Sequence, residues 1–289
     1  MNIRRIHLPI CNHLRLPTFR SLRSVDRFST YVVHASPPVK RLYFHRFETT
    51  MKVSHKCRPE RPSKRIPTME TSLNCADRLE RLLQQDRFKT WGFVIYRCTY
   101  QSNSDWEKFI TRFLYSVTSF LKYYNGLDLL DSFAPTVFED RAFDSATTAL
   151  LRKHFQEWAV IAPQEEQGIE HSCFPNSGRY RFFIMVDQEA LESVLSVPEP
   201  HYPSTTGFVR LVNGVWKPEE LDQDELEERG LSDPSELKEF EPLEGCRLED
   251  VGWMKVSFQD AELPAFLKFC DNLRWLRYYR RPPLIPEWI

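Results

Sequence analysis

The sequence predicts an α+β fold, a two-layer sandwich of a mostly antiparallel sheet with helices on one face, with a ferredoxin-like order as the candidate topology. Three observations carry this. Trp91-Gly-Phe-Val-Ile-Tyr-Arg-Cys-Thr-Tyr100 is an apolar strand followed by a long amphipathic helix. Strand and helix periodicities then alternate toward the C-terminus. Asn213-Gly214 between two β-prone runs signals a hairpin, which would force antiparallel pairing.

Taken in order, residues 71–86 form a short charged helix with Leu79, Leu82 and Leu83 on one face. In the strand that follows, Phe93, Ile95 and Arg97 alternate with Val94, Tyr96 and Cys98, so both faces are apolar and the strand belongs mid-sheet. The next helix sets Trp106, Phe109, Ile110, Phe113, Leu114, Val117, Phe120, Leu121 and Tyr124 at three- and four-residue spacing. Ser104-Asp-Trp-Glu107 reads as its capping box and Asn125-Gly126 as its end. A short strand is expected within Pro135–Glu139. A second helix, capped by Asp144 or Ser145, carries Leu150, Leu151, His154, Phe155 and Trp158 and stops at Pro163. Arg179–Asp187 is the second strong strand, running into helix 188–195. The hairpin from Phe208 to Trp216, a strand over 251–258 and a helix over 264–273 complete the order.

Charge divides the 289 residues, whose formal net charge is −1. Residues 1–68 hold fifteen Lys/Arg against three acids; 69–289 hold 24 against 37. The first part reads as a basic disordered extension, the second as a single acidic domain with an acidic insertion at 217–250. Three readings of the extension stand together: a gene-model artefact upstream of Met69, a mitochondrial transit peptide, and a basic arm for nucleic acid or anionic lipid. Seven scattered cysteines without a Cys-x-x-Cys pair suggest neither disulfides nor zinc, and a reducing, cytoplasmic setting follows, mitochondrial if the extension is a transit peptide. The apolar runs are too short for a membrane span.

Candidate chemistry is sparse. His154, with Glu157 and Lys153 nearby, has the makings of a general base, yet it falls on the apolar stripe where core histidines sit. Asp187 ends a strong strand, where side chains face clefts, and equally suits a helix cap. The acids Asp128, Asp131, Glu139, Asp140 and Asp144 match no metal-binding loop, so no metal is expected. With nine glycines and no Gly-rich phosphate loop, no nucleotide cofactor is expected either. The C-terminal Arg274, Arg277, Arg280 and Arg281 alternate with aromatics and are expected to pair with the acidic insertion. Nucleic acid is not expected as a partner of 69–289, which would repel it.

The segments Asp86–Tyr100, Asp105–Glu107, Tyr180–Leu191, Phe208–Gly214 and Val251–Val256 resemble a family of uncharacterised proteins from filamentous fungi. The resemblance covers roughly 75–289 and implies that this stretch is one unit; it brings no activity or site residues with it. The leading expectation is a non-enzymatic domain that binds a protein partner through its acidic insertion and exposed aromatics. The alternative is a small-molecule-binding accessory protein or enzyme with a pocket between sheet and helices, lined by Tyr96, Tyr124, His154 and Trp158.

Overall fold

The structure is a computed structural model that describes residues 3–5, 74–168, 178–197, 207–218, 230, 240–270 and 272–287. Its sheet is built from β1 (Ile3–Arg5), β2 (Val94–Arg97), β3 (Thr136–Phe138), β4 (Phe182–Val186), β5 (Phe208–Asn213) and β6 (Trp253–Ser257). The helices are α1 (Cys75–Asp86), α2 (Asn103–Tyr123), α3 (Thr148–Gln167), α4 (Gln188–Leu195), α5 (Leu263–Lys268) and α6 (Asn272–Tyr278). The spatial strand order is β1-β3-β2-β4-β5-β6. Strand β1 falls inside the stretch expected to lack regular structure, while 6–73 lies outside the described residues.

The α+β class holds, with a mixed sheet. Strand β2 is parallel to both β3 and β4, whereas β1 on β3, β5 on β4 and β6 on β5 are antiparallel. Parallel neighbours need crossover connections, and α2 and α3 supply them, so the ferredoxin-like order does not describe the chain. The expected hairpin is the reason for the difference. Asn213-Gly214 does turn the chain, with Val215 N–H donating to Asn213 Oδ1 at 3.1 Å, but among the described residues no strand follows the turn before β6, some forty residues on. Gly214 is required there because a Cβ would lie 2.4 Å from the Phe155 ring.

Helices cover both faces, not one. Phe93, Ile95, Phe182, Ile184, Leu211 and Met254 pack with α1, α2, α4 and α5. Val94, Tyr96, Phe183, Met185 and Val212 pack on the other side with Leu151, Phe155 and Ala159 of α3. A central strand apolar on both sides cannot leave one of them to water, since each exposed core side chain would forfeit about 1.5–3 kcal/mol.

Helix boundaries shift for local reasons. Ser102, not Ser104, caps α2, its hydroxyl accepting the Asp105 N–H at 3.2 Å, and Thr147 caps α3 by accepting from Leu150 at 3.3 Å. Pro163 does not stop α3, which runs on to Gly168 at φ 72°; the helix continues without the bond that a residue-163 N–H would make to the Ala159 carbonyl. Leu150, expected in the core, is exposed. The acidic 217–250 stretch is described only in part, but its 240–250 end is anchored. Arg281 donates to the carbonyls of Glu241, Leu248 and Glu249, and Trp275 Nε1 to Asp250 Oδ2 at 2.8 Å.

Candidate functional site

The residues expected to share a pocket are split by the sheet. Tyr96 is fully buried on the α3 face, its hydroxyl hydrogen-bonded to His154 Nδ1 at 2.7 Å. Burial pushes the Tyr96 phenol up and the His154 imidazole down, the latter against the opposing charges of Glu157 and Asp140. A neutral histidine hydrogen-bonded to a neutral tyrosine, ringed by Phe138 and Phe143, is a satisfied core pair. Trp158, one turn on, packs against Phe138, Phe155 and Tyr180. Tyr124 lies on the other side, at the end of α2 against Phe120 and Tyr123.

Open sheets with crossover helices bind ligands outside the carboxyl ends of their parallel strands. Between β2 and β3 that position is filled by the chain itself. Arg97 donates to Asn103 Oδ1 at 2.6 Å and to the Thr99 carbonyl at 2.9 Å, lies 3.5 Å from Glu139, and stacks over Tyr100 and Trp106. On the β4 side the ends stay open. Cys98, Thr99, Asp144, Ser145, Asp187 and Arg210, with Glu189 and Glu244, line a cleft of about 420 Å³.

This cleft meets the N-termini of two helices, each occupied by a carboxylate. Asp187 accepts from Ala190 N–H of α4 at 2.9 Å, the cap expected for it, and Glu244 accepts from the Thr148 N–H and hydroxyl of α3, both at 2.8 Å. Arg210 bridges them, 2.5 Å from Asp187 and 3.3 Å from Glu244, while its guanidinium lies 4.5 Å from the Trp253 ring. Its Nε is buried without a hydrogen-bond partner. Directly opposite in the β5–β6 register stands Lys255. Glu189 reconciles the two cations, 2.7 Å from Lys255 and 3.6 Å from Arg210. Glu244 reaches its partners from the tip of a two-residue turn. It and Gly245 have φ 50° and 82° between the paired Leu243 and Cys246, a primed turn in which glutamate is an unusual choice.

At the base, burial raises the Cys98 thiol, aided by Asp187, Asp144 and Glu244 and opposed by Arg210, so it stays protonated and is no ready nucleophile. No group of three or more metal-ligating side chains is assembled among the described residues. Asp187 reaches the cleft, joined by Asp144 of the acidic cluster, whereas Tyr96, Tyr124, His154 and Trp158 do not line it. Arg210 was missed, although a lone charge inside Phe208-Val-Arg-Leu-Val212 is the kind of signal that points to a buried partner.

A second polar cluster lies at the opposite, amino ends of β2, β3 and β4. Arg179 is 1% exposed and donates to both Glu166 oxygens at 2.7 and 2.8 Å, to the Gly92 carbonyl at 2.6 Å and to Thr136 Oγ1 at 2.9 Å. Burial opposes its charge, but the Glu166 hydrogen bonds and charge outweigh it and hold the guanidinium pKa above its ordinary value. Tyr180 and Gln167 extend the network to Thr90. Nearby, Glu262 accepts the Phe93 N–H at 2.9 Å; its other oxygen has no partner, and burial pushes its pKa up to about 8. No family model, curated protein or solved structure matches the chain.

Proposed function

We propose that this protein acts by binding, and that the cleft at the carboxyl ends of β2 and β4 holds a small, amine-bearing polar molecule. One observation carries the reading. The cleft sets four carboxylates, Asp144, Asp187, Glu189 and Glu244, against the single guanidinium of Arg210, with Lys255 on its rim tied to Glu189. That surplus of negative charge in a partly desolvated site favours a cation. The hydroxyl of Ser145 and the amide of Gln101 supply orientation.

The test is titration with 1,4-diaminobutane and its uncharged isostere 1,4-butanediol, read by calorimetry and thermal shift. Binding of the diamine alone, weakened by Asp144→Asn, is the expected result. An equal response to the diol, or none to either, overturns the reading.

A second reading, docking of a protein partner, is favoured by the outer surface of α3. Val160 and Ile161 stand 65% and 54% exposed there, with Leu150 exposed on the same helix. Val160→Ser/Ile161→Ser would abolish co-purification of such a partner while leaving diamine binding intact. Co-purification unchanged by the double variant would remove α3 as the docking surface.

A further inference from the structure

Strand β3 pairs with β2 along one side and with β1 along the other, where the described sheet ends. The partner on that outer side comes from far along the chain. Ile3–Arg5 lies antiparallel to β3, with Ile3 opposite Phe138, Arg4 opposite Val137 and Arg5 opposite Thr136, and residues 6–73 separate it from Asn74, the cap of α1. Pro135, which has no N–H to give, precedes the first paired residue and bounds the edge on that side.

A sheet edge exposes a row of N–H and C=O groups that a further strand can pair with, and proteins blunt such edges with charge. The opposite edge follows that rule: β6 carries Lys255 at its centre. The β3 edge does not. Thr136-Val-Phe138 holds a β-branched pair and an aromatic with no charge among them, a sequence that favours strand addition. Among the described residues from Asn74 onward, no strand covers this side of β3. Charge completes the match: Ile3-Arg4-Arg5 brings two cations to a domain with 24 basic against 37 acidic residues over 69–289.

Main-chain pairing does not distinguish a strand of the same chain from one of another, and strand addition to a sheet edge is a general mode of peptide recognition. We infer that the outer edge of β3 is a docking site for an extended, basic peptide of a partner protein, and that β1 is the occupant the chain itself supplies until such a peptide displaces it. Thr136, Val137 and Phe138 do not line the acidic cleft, so the site does not depend on the occupant of that cleft.

The experiment is fluorescence anisotropy of a labelled peptide spanning Met1–Leu8, titrated with the full-length protein and with its Ile3→Pro/Arg4→Pro variant. Two adjacent prolines remove the β1 pairing in either phase of the strand, and a cooperative thermal melt verifies that the rest is folded. Ile3→Gly/Arg4→Gly, which weakens the strand without forbidding its pairing, is the second variant. In the wild type the tethered β1 competes with added peptide, so its removal raises affinity. The expected result is saturable binding to the proline variant, at least roughly tenfold tighter than to the wild type, with the glycine variant between them. A peptide carrying the same two prolines should not bind. No binding up to roughly 1 mM, equal affinity for wild type and variant, or equal binding of the proline peptide overturns the docking site. An Arg4→Glu/Arg5→Glu peptide that binds as tightly as the parent overturns the basic character of its ligand.

Discussion

Arg179 and Arg210 sit at opposite ends of the same sheet, each against carboxylates, and their surroundings differ in one respect that separates architecture from recognition. Arg179 spends four hydrogen bonds on Glu166, Gly92 and Thr136, and Glu166 answers its charge one to one. Arg210 faces more carboxylate than it can neutralise, keeps one donor without a partner, and borders open space. A saturated, water-free pair specifies how three strands and a helix meet. An unbalanced, half-open one leaves charge for something else to complete.

The largest effect that would test this contrast is at the closed end. Arg179→Ala strands Glu166 as a buried charge and is expected to cost about 3–5 kcal/mol in chemical denaturation, with diamine binding unaltered in the folded fraction. A loss below about 1 kcal/mol would mean that the network is not the clamp its geometry describes.

Glu262, beside that network, gives the next. Its carboxyl is neutral in the folded state up to about pH 8 and ionised in the unfolded chain above its ordinary value of 4.5. A raised folded pKa makes its contribution fullest below about pH 4.5 and drains it as pH climbs to about 8, after which it is constant. Melting temperatures of the wild type should therefore fall relative to Glu262→Gln across that window and run parallel above it. Parallel curves throughout would show that the carboxyl is ionised where it lies.

At the open end the consequences shift from stability to affinity. Arg210→Gln should cost only about 1 kcal/mol, because two of its partners keep their helix N-termini. The same change deepens the carboxylate surplus, so diamine binding should tighten roughly threefold or more in calorimetry. Weaker binding in this variant would reverse the assignment of charge in the cleft.

The smallest effect is at Glu244. Asparagine accepts a positive φ more readily than glutamate but cannot reach Thr148 and Arg210, so Glu244→Asn should change stability by no more than about 0.5 kcal/mol. A larger loss would make the Glu244 bridge a principal fastener of the 240–250 segment.

Much of the scaffold was legible because periodicity records burial. The stripe from Trp106 to Leu121 and the two-sided apolar run of β2 are consequences of packing, and they survive into the structure at the expected residues. Features set by partners distant in the chain were not legible. The run at Asn213-Gly214 signals a turn but not which strand pairs with β5, since that partner lies beyond the acidic stretch. His154 and Asp187 were each seen as a residue; that one meets Tyr96 and the other Arg210 depends on sheet order. That Tyr124 packs on the opposite face from Tyr96 and His154 was not legible for the same reason, because spacing along a helix does not tell which side of the sheet the helix takes.

The connection from β5 to β6 has a consequence for how the gene can change. Those strands are sheet neighbours, and the chain between Asn213 and Trp253 leaves and returns to nearly the same place. The entropy of closing such an excursion grows only logarithmically, about 0.6 kcal/mol for each doubling of its length. Changing the length of that connection moves this closure term by only a fraction of a kcal/mol.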